Sequence, residues 1–220
     1  MPGRKKALWG TYPLKGETPV VWHTGPLYLW ILSRHDEIWI THQHLPGMSE
    51  TKEESQVPAP PSLEDPVWQR WAVKSTVEKL DINPVFPDLP VVVKPEYPFR
   101  LTPGIKTRIY VRVPLWVRIQ IGTQPLLELP IVILSKTWFG DFLEGELCYW
   151  ISSSARKVYS PDPLRPYMSI CPIQIYNRSA DELLVEKICL RVRKLALFQY
   201  QDQLWGSETR ASYKGVEEGS

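Results

Sequence analysis

The chain has 220 residues, and its 26 basic and 24 acidic side chains leave a formal charge of +2, which is too small to indicate a class of partner. Hydrophobic residues make up 43% of it, the longest apolar run is far below the ~20 residues that span a bilayer, and three cysteines argue against a disulfide scaffold. We therefore expect a soluble, cytoplasmic globular protein without membrane association, whose 22 prolines favour strands and turns over helices.

Two apolar runs near the start of the chain predict a hairpin. They span residues 27–33 and 37–43 and are joined by a turn at His35. In that register Leu29 pairs with His42. Both faces of the hairpin are apolar, so we expect it to be covered on both sides and to join the sheet that the later strands form.

The four histidines all lie within the first 44 residues, and two of them share one face of a strand. His42 and His44 would be about 7 Å apart along that strand and could share a first-row metal ion, with His23 as a third ligand. His35 lies at the other end of the hairpin and is excluded. A cupin-like metalloenzyme has such a pattern, but its glycine-rich motif is missing. Ordinary hydrogen-bonded or surface histidines are the alternative. No cofactor is expected unless these histidines bind a divalent metal.

Residues 46–66 differ sharply in composition from the rest of the chain. They contain five acidic residues and five prolines, with almost nothing to bury. This composition predicts a flexible loop within a single domain of residues 1–220, because the residues before it form too few strands for a core of their own. A linker between domains is the rival interpretation. Residues 215–220 are predicted to fray.

The strongest strand pattern is at residues 107–121, TRIYVRVPLWVRIQI. Every odd position is aliphatic, and the even positions are mostly basic or aromatic, so one face of the strand is predicted to be buried and the other to point outward. Pro114 lacks an N–H, and we expect the run to kink there or to continue as two collinear strands near a sheet edge.

Further apolar runs recur at a spacing of about ten residues, with Asn, Pro and Gly turns between them. About ten to twelve short strands with little or no helix predict an all-β fold, a two-layer β-sandwich.

Several segments carry a resemblance to a known family. They are PVVVKPEYPF, IYVRVPLWVRI, ELCYWI, the LSKTWFGD turn, and CPIQIYNRSADELLVEKICLRV with the nearby Leu204-Trp205. These resemble a prokaryotic, mostly archaeal family, number four hundred and thirty-two in the series of domains of unknown function. The resemblance covers about residues 68–215 and leaves out the hairpin and the acidic loop. It implies no activity, because the family has none assigned.

The outward face of the central strand is a candidate binding surface for an anionic ligand or a single-stranded nucleic acid. Residues 97–127 contain five basic residues and no acid, and rings interleave with the guanidinium groups. Lys187 and Arg191 extend this face if residues 183–193 lie beside the central strand. The other candidates are Arg108, Tyr110, Arg112, Trp116 and Arg118. A solvated strand face is the alternative.

The three cysteines lie in separate predicted strands, and no C-x-x-C pair is present. Buried core thiols are the expected state of Cys148 and Cys171. Cys189 falls on the same strand face as Lys187 and Arg191. Because neighbouring cations favour the thiolate, Cys189 is predicted to be the most reactive thiol.

No catalytic constellation is found in the sequence. Ser152 to Ser154 have no histidine or acid at a recognisable spacing. Asn177 begins an N-x-S pattern, but we expect a hairpin turn in which asparagine adopts a left-handed conformation. The sequence therefore favours a non-catalytic interaction or structural module over an enzyme. A protein partner or a homo-oligomer is expected ahead of nucleic acid, and metal binding and anion binding are the alternatives.

Overall fold

The computed structural model describes residues 8–14, 16–45, 58–152, 154–159, 165–201 and 203–215. By its internal contacts the chain divides into two compact units. The first comprises Met1–Val85 and Leu115–Val132, and the second comprises Phe86–Pro114 and Ile133–Ser220. The sequence did not predict this division, and the extent of a single domain over residues 1–220 stays a prediction.

The described residues form nineteen strands. In chain order these are β1 (Gly10–Pro13), β2 (Val20–Thr24), β3 (Leu27–Arg34), β4 (Glu37–His44), β5 (Gln69–Ala72), β6 (Lys79–Val85), β7 (Val91–Val93), β8 (Phe99–Leu101), β9 (Lys106–Pro114), β10 (Trp116–Ile121), β11 (Gln124–Pro130), β12 (Lys136–Phe139), β13 (Glu146–Trp150), β14 (Met168–Asn177), β15 (Leu183–Val185), β16 (Ile188–Leu190), β17 (Leu197–Tyr200), β18 (Gln203–Gly206) and β19 (Thr209–Tyr213). Helical structure in this part of the chain is limited to one 3-10 turn, Val192–Lys194. The predicted all-β, sandwich-like class is confirmed, with more and shorter strands than expected.

The first unit holds two four-stranded sheets, in the orders β1-β6-β10-β11 and β2-β3-β4-β5. Every pairing in them is antiparallel. β3 and β4 form the predicted hairpin, with Leu29 opposite His42 and with His35 in the turn at a φ of +48°. The hairpin was expected to join the sheet of the later strands. It pairs with one of them, β5, but its sheet is separate from those that contain β9 and β10.

Both faces of the hairpin are buried, as its two-sided apolar pattern predicted. On one face the side chains form an aromatic cluster, whose buried members are Tyr28, Trp30, Leu32, Trp39 and Trp68. Trp68 comes from beyond the acidic segment, and its indole N–H donates to the Ser62 carbonyl at 3.0 Å. Residues 62–68, at the end of the predicted flexible loop and just beyond it, thus make a hydrogen-bonded turn, while residues 46–57 lie outside the described chain.

The second unit contains three sheets. One has the order β12-β13-β7-β16, a second pairs β8 with β15, and the third contains β17, β18, β14, β19 and β9. β14 is the centre of the third sheet because it pairs antiparallel with β9 and parallel with both β18 and β19. The buried core of this unit includes Val91, Val93, Ile109, Val111 and Ile173.

The central run of residues 107–121 is divided at Leu115 into β9 and β10. Its odd residues are buried from Ile109 to Ile119, which confirms the predicted alternation. The break follows Pro114, where a kink or two strands were expected. The two halves, however, belong to different sheets, β9 in the second unit and β10 in the first.

In the described part of the chain, no helix has the length and apolar character needed to cross a membrane.

Candidate functional site

A cavity of about 330 Å³ lies in the second unit. Its size falls within the range of about 300–1,000 Å³ that is usual for small-molecule sites. Nine described residues line it: Tyr110, Arg112, Ser152, Ser154, Arg156, Val158, Tyr159, Arg165 and Ile170. Three of these residues are arginines, and none of these nine is acidic.

One row of the cavity is built by strand pairing. Arg112 on β9 pairs with Ile170 on β14, and Ile170 pairs in turn with Trp205 on β18. Directly paired residues point to the same side of a sheet. The Arg112 guanidinium therefore lies on the outward face of β9, opposite the buried Val111 and Val113.

The next row is completed by a short irregular segment after β13. The Tyr110 N–H donates to the Arg156 carbonyl at 2.7 Å, and the Arg156 N–H donates to the Tyr110 carbonyl at 3.0 Å. This antiparallel bridge places Arg156 on the same side as Tyr110. The neighbouring Ala155 bridges Pro95, so the segment is held at both edges. Arg156, the second arginine of the cavity, is thus positioned by backbone pairing rather than by side-chain packing.

Three rings pack against one another beside these arginines. The ring centroids of Tyr110 and Tyr159 are 5.2 Å apart, and those of Tyr159 and Trp205 are 4.9 Å apart at an interplanar angle of 79°. Such tilted and edge-on contacts are the favoured arrangements of aromatic pairs. The Trp205 indole nitrogen is buried and has no hydrogen-bond partner among the described residues. An aromatic wall with an unused donor therefore stands beside the cationic side chains.

One of the cavity arginines, Arg156, has an acidic neighbour. Glu96 lies 3.4 Å from the Arg156 guanidinium, and both side chains are largely exposed. An exposed pair of this kind contributes little, about 0–1 kcal/mol. The cavity is thus an arginine-rich, ring-lined site with two serine hydroxyls, Ser152 and Ser154, at its wall.

Two of the seven residues predicted for the binding face, Tyr110 and Arg112, line the cavity. Arg108 lies on the same strand but forms an ion pair with Glu208 at 2.6 Å. Trp116 and Arg118 are on β10 in the first unit, where Arg118 pairs with Glu128. The predicted face is thus divided at Leu115 between sheets of the two units, and its role in binding stays a prediction.

Lys187 and Arg191 were predicted to extend this face on the condition that residues 183–193 lie beside the central strand. That condition is not met. Their neighbour β16 pairs with β7, whereas β9 pairs with β14. Arg191 instead forms an ion pair with Glu146 at the start of β13.

The sequence interpretation missed Arg156, Tyr159 and Arg165. They lie in the irregular connection between β13 and β14, where no periodicity draws attention to them. The available signal was local charge, since Arg156, Lys157 and Arg165 follow closely on Ser154.

The three histidines of the predicted metal site make two separate ring contacts. The His42 and His44 rings lie 5.9 Å apart and nearly perpendicular, while His23 stacks on Tyr28 at 5.0 Å. The Nε2 of His44 donates to the Pro130 carbonyl at 2.8 Å, so that nitrogen is already used. Within the described ranges, no group of three His, Cys, Asp or Glu side chains could hold a metal ion. The predicted metal site at His23, His42 and His44 gains no support from this arrangement.

The His42 imidazole is expected to make the protein less stable in mild acid. Burial lowers the pKa of His42 below 6.5, and the nearby His44 lowers it further. The unfolded chain then binds more protons than the folded one, so stability falls as the pH drops through 6.5 and levels off below the folded-state pKa. Urea unfolding at pH 7.5 and pH 5.5 should show this loss.

The matched variants for this prediction are His42→Gln and His35→Asn. His42→Gln should reduce the difference in stability between the two pH values. His35→Asn should keep it, because His35 is exposed in the hairpin turn, where asparagine tolerates the positive φ. An equal difference in all three proteins would contradict the role of His42.

The surroundings of Cys189 contradict the prediction that neighbouring cations activate its thiol. Burial first, and then Cys148 and Glu146, raise the pKa of Cys189 to about 12, and Arg191 offsets these effects only in part. The Cys148 and Cys189 sulfur atoms are 3.8 Å apart. Cys189 is still the least buried of the three cysteines. Its surroundings therefore favour the neutral thiol, because the cation is engaged by Glu146.

Comparison with known proteins gives one match. The model of a family described as a protein of unknown function, DUF432, matches residues 8–220. No curated protein and no solved structure matches. The match confirms the resemblance predicted from the sequence and extends it, because it includes the hairpin and the acidic segment that were placed outside.

Proposed function

Because the chain belongs to the DUF432 family of proteins of unknown function, its function has to be argued from its own site, and we propose that it binds a small phosphorylated ligand in the cavity of the second unit. The observation that carries this proposal is the placement of three arginines and two serines around one cavity of about 330 Å³. Guanidinium groups bind phosphate oxygens in a bidentate manner, and hydroxyls can donate to the remaining oxygens.

The rings beside the arginines indicate the rest of the ligand. Tyr110 and Tyr159 line the cavity, and Trp205 packs against both. Aromatic surfaces next to phosphate-binding groups favour a ligand that itself carries a ring, because base–aromatic stacking contributes about 1–3 kcal/mol per base. A nucleotide-like compound combines the two features.

A small ligand fits this geometry better than a nucleic-acid strand does. A strand needs a groove that follows its backbone over several nucleotides. The basic face predicted for that purpose is interrupted, since Arg108, Arg118 and Arg191 are engaged by Glu208, Glu128 and Glu146. The arginines that share one site are those that line the cavity.

Binding is proposed rather than a reaction. Among the described residues that line the cavity there is no histidine, aspartate or glutamate in a position to act as a general acid or base. The cytoplasmic location and the protein partner expected from the sequence stay predictions.

The test is calorimetric titration with inorganic phosphate and with nucleoside monophosphates. The wild type should bind the nucleotides more tightly than phosphate. Arg112→Gln and Arg156→Gln should each weaken nucleotide binding by roughly tenfold to a hundredfold, because hydrogen bonds to charged groups contribute about 1.5–3 kcal/mol. Added salt should also weaken binding.

The matched control is Arg118→Gln, which removes a partly buried arginine of the first unit and should leave binding unchanged. Urea unfolding of each variant separates lost binding from lost structure. Absence of binding by the wild type, or equal weakening by the control, would contradict the proposal.

A further inference from the structure

The loop between β12 and β13 holds two large apolar side chains in solvent. Phe142 is 93% exposed and Leu143 is 90% exposed. Single exposed apolar residues are ordinary, but two adjacent ones at the tip of a loop form a contiguous apolar surface. We define Phe142 and Leu143 as the loop tip.

This loop is built to hold one conformation. The Asp141 carboxylate accepts hydrogen bonds from the backbone N–H groups of Leu143 at 2.8 Å and Glu144 at 2.7 Å. The Asp141 carbonyl accepts from the Trp138 indole at 2.8 Å and from the Gly145 N–H at 3.0 Å. A Cβ at Gly145 would overlap the Trp138 ring, so only glycine allows this closure. The loop tip is therefore preformed, which lowers the entropic cost of docking.

A second cavity, of about 310 Å³, lies in the same unit and shares Arg156 with the first. Eight residues line it: Pro95, Glu96, Tyr97, Phe99, Ile109, Ala155, Arg156 and Lys157. Pro95, Ile109 and Ala155 are buried and form an apolar base, whereas the charged side chains and Tyr97 are exposed. The Lys157 ammonium lies 5.9 Å from the centre of the Phe99 ring. We call this the rim-basic cavity. It offers an apolar base beneath two cations and one acid.

The loop tip and the rim-basic cavity lie at opposite ends of one pair of parallel strands. The loop precedes Glu146, where β13 begins, and β13 runs parallel to β7. Pro95 follows the end of β7, Ala155 follows the end of β13, and the two form a parallel bridge. Five residues of strand span about 16 Å. The loop tip therefore cannot reach the cavity of its own chain.

We propose that the loop tip of one copy of this chain docks in the rim-basic cavity of a second copy. The two surfaces are complementary in charge, because Asp141 and Glu144 flank the loop tip while Arg156 and Lys157 line the cavity. The contact is heterologous, since different surfaces of the two copies meet. Such head-to-tail contacts give rings if the rotation closes and filaments if it does not.

A second copy fits the loop tip better than a lipid surface does. Membrane-binding segments rely on Lys and Arg to attract anionic headgroups. The loop tip is flanked by carboxylates on both sides, and an anionic bilayer would repel them. The acids are complementary instead to a basic rim, which the chain itself supplies.

The experiment is sedimentation velocity of the full chain from low to high micromolar concentration. The wild type should form species larger than a dimer as the concentration rises. A loop variant, Phe142→Ser with Leu143→Ser, and a cavity variant, Tyr97→Ser with Lys157→Glu, should each weaken association by roughly tenfold or more. Leu184→Ser, at another exposed apolar position, is the control and should associate as the wild type does.

Mixing the two variants tests the head-to-tail geometry directly. The loop variant keeps an intact cavity and the cavity variant keeps an intact loop tip, so an equimolar mixture should form a dimer and stop there. None of these substitutions replaces a residue that lines the first cavity, so association and nucleotide binding can be measured separately on the same variants.

Three results would overturn the inference. They are a wild type that stays monomeric at every concentration, a mixture that does not associate, and a monomer that sediments with vesicles of phosphatidylcholine and phosphatidylserine only when the loop tip is intact. The last result would assign the loop tip to a bilayer.

Discussion

Replacing Asn177 by alanine is expected to lower the free energy of unfolding by about 3–5 kcal/mol. The side chain is fully buried at the end of β14, and all of its polar atoms are used. Its amide nitrogen donates to the carbonyls of Leu101 at 2.8 Å and Asp181 at 2.7 Å. Its oxygen accepts from the N–H and the hydroxyl of Ser179 at 3.0 Å and 2.8 Å.

The expected loss of stability is large because Asn177→Ala leaves buried polar groups of its neighbours without their hydrogen-bond partners. Each lost hydrogen bond costs about 0.5–1.5 kcal/mol, and a buried group left without a partner costs about 1–3 kcal/mol. Ser179→Ala removes part of the same network and should cost about 1–2 kcal/mol. Lys214→Ala, at an exposed position, should stay within about 0.5 kcal/mol. Urea unfolding with an unchanged slope is the measurement, and equal losses for Asn177→Ala and Ser179→Ala would refute the argument.

Trp30→Ala is expected to destabilise the first unit by about 3–5 kcal/mol, the usual cost of emptying a buried tryptophan site. Trp30 is almost fully buried in the aromatic cluster of the hairpin sheet. Its ring centroid lies 6.2 Å from that of Tyr28. Intrinsic fluorescence during urea unfolding gives the loss directly, and a loss below about 1 kcal/mol would show that the cluster collapses around the vacancy.

Replacing Trp30 by phenylalanine separates the contribution of packing to stability from that of hydrogen bonding. The Trp30 indole nitrogen is buried without a hydrogen-bond partner in the described part of the chain, whereas the Trp22 indole donates to the Leu8 carbonyl at 2.8 Å. Both side chains are buried. Trp30→Phe should therefore cost less than Trp22→Phe, because it removes an unsatisfied donor rather than a bond. The reverse order would contradict this assignment.

The local features of the fold could be predicted from the sequence because they depend on neighbouring residues. Period-two alternation identified the buried face of residues 107–121, and the apolar runs with the turn at His35 determined the register of β3 and β4. The division at Leu115 could not be predicted. Alternation indicates which face of a strand is buried but not which strand it pairs with, and it continues unchanged through the break.

The candidate site was predicted only in part for the same reason. Tyr110 and Arg112 lie on a periodic strand and were found, whereas Arg156 reaches the site through a bridge to a residue 46 positions earlier in the chain. Asn177 shows a different limit. It was expected to make a turn through a left-handed backbone, but the positive-φ residues other than glycine in the described chain are His35 and Gln201. Asn177 acts through its side-chain hydrogen bonds instead.

The interleaving of the two units along the chain bears on the order in which they can be completed during synthesis. In the sheet β1-β6-β10-β11, Gly10 pairs with Ile82, and Ile82 pairs with Ile119. At ~5–20 residues per second, β1 emerges from the ribosome on the order of ten seconds before its partner β6. β9, which belongs to the second unit, emerges before the first unit has its last strands. Neither unit is therefore a continuous segment, and a nascent-chain chaperone would meet unpaired strand edges of both at once.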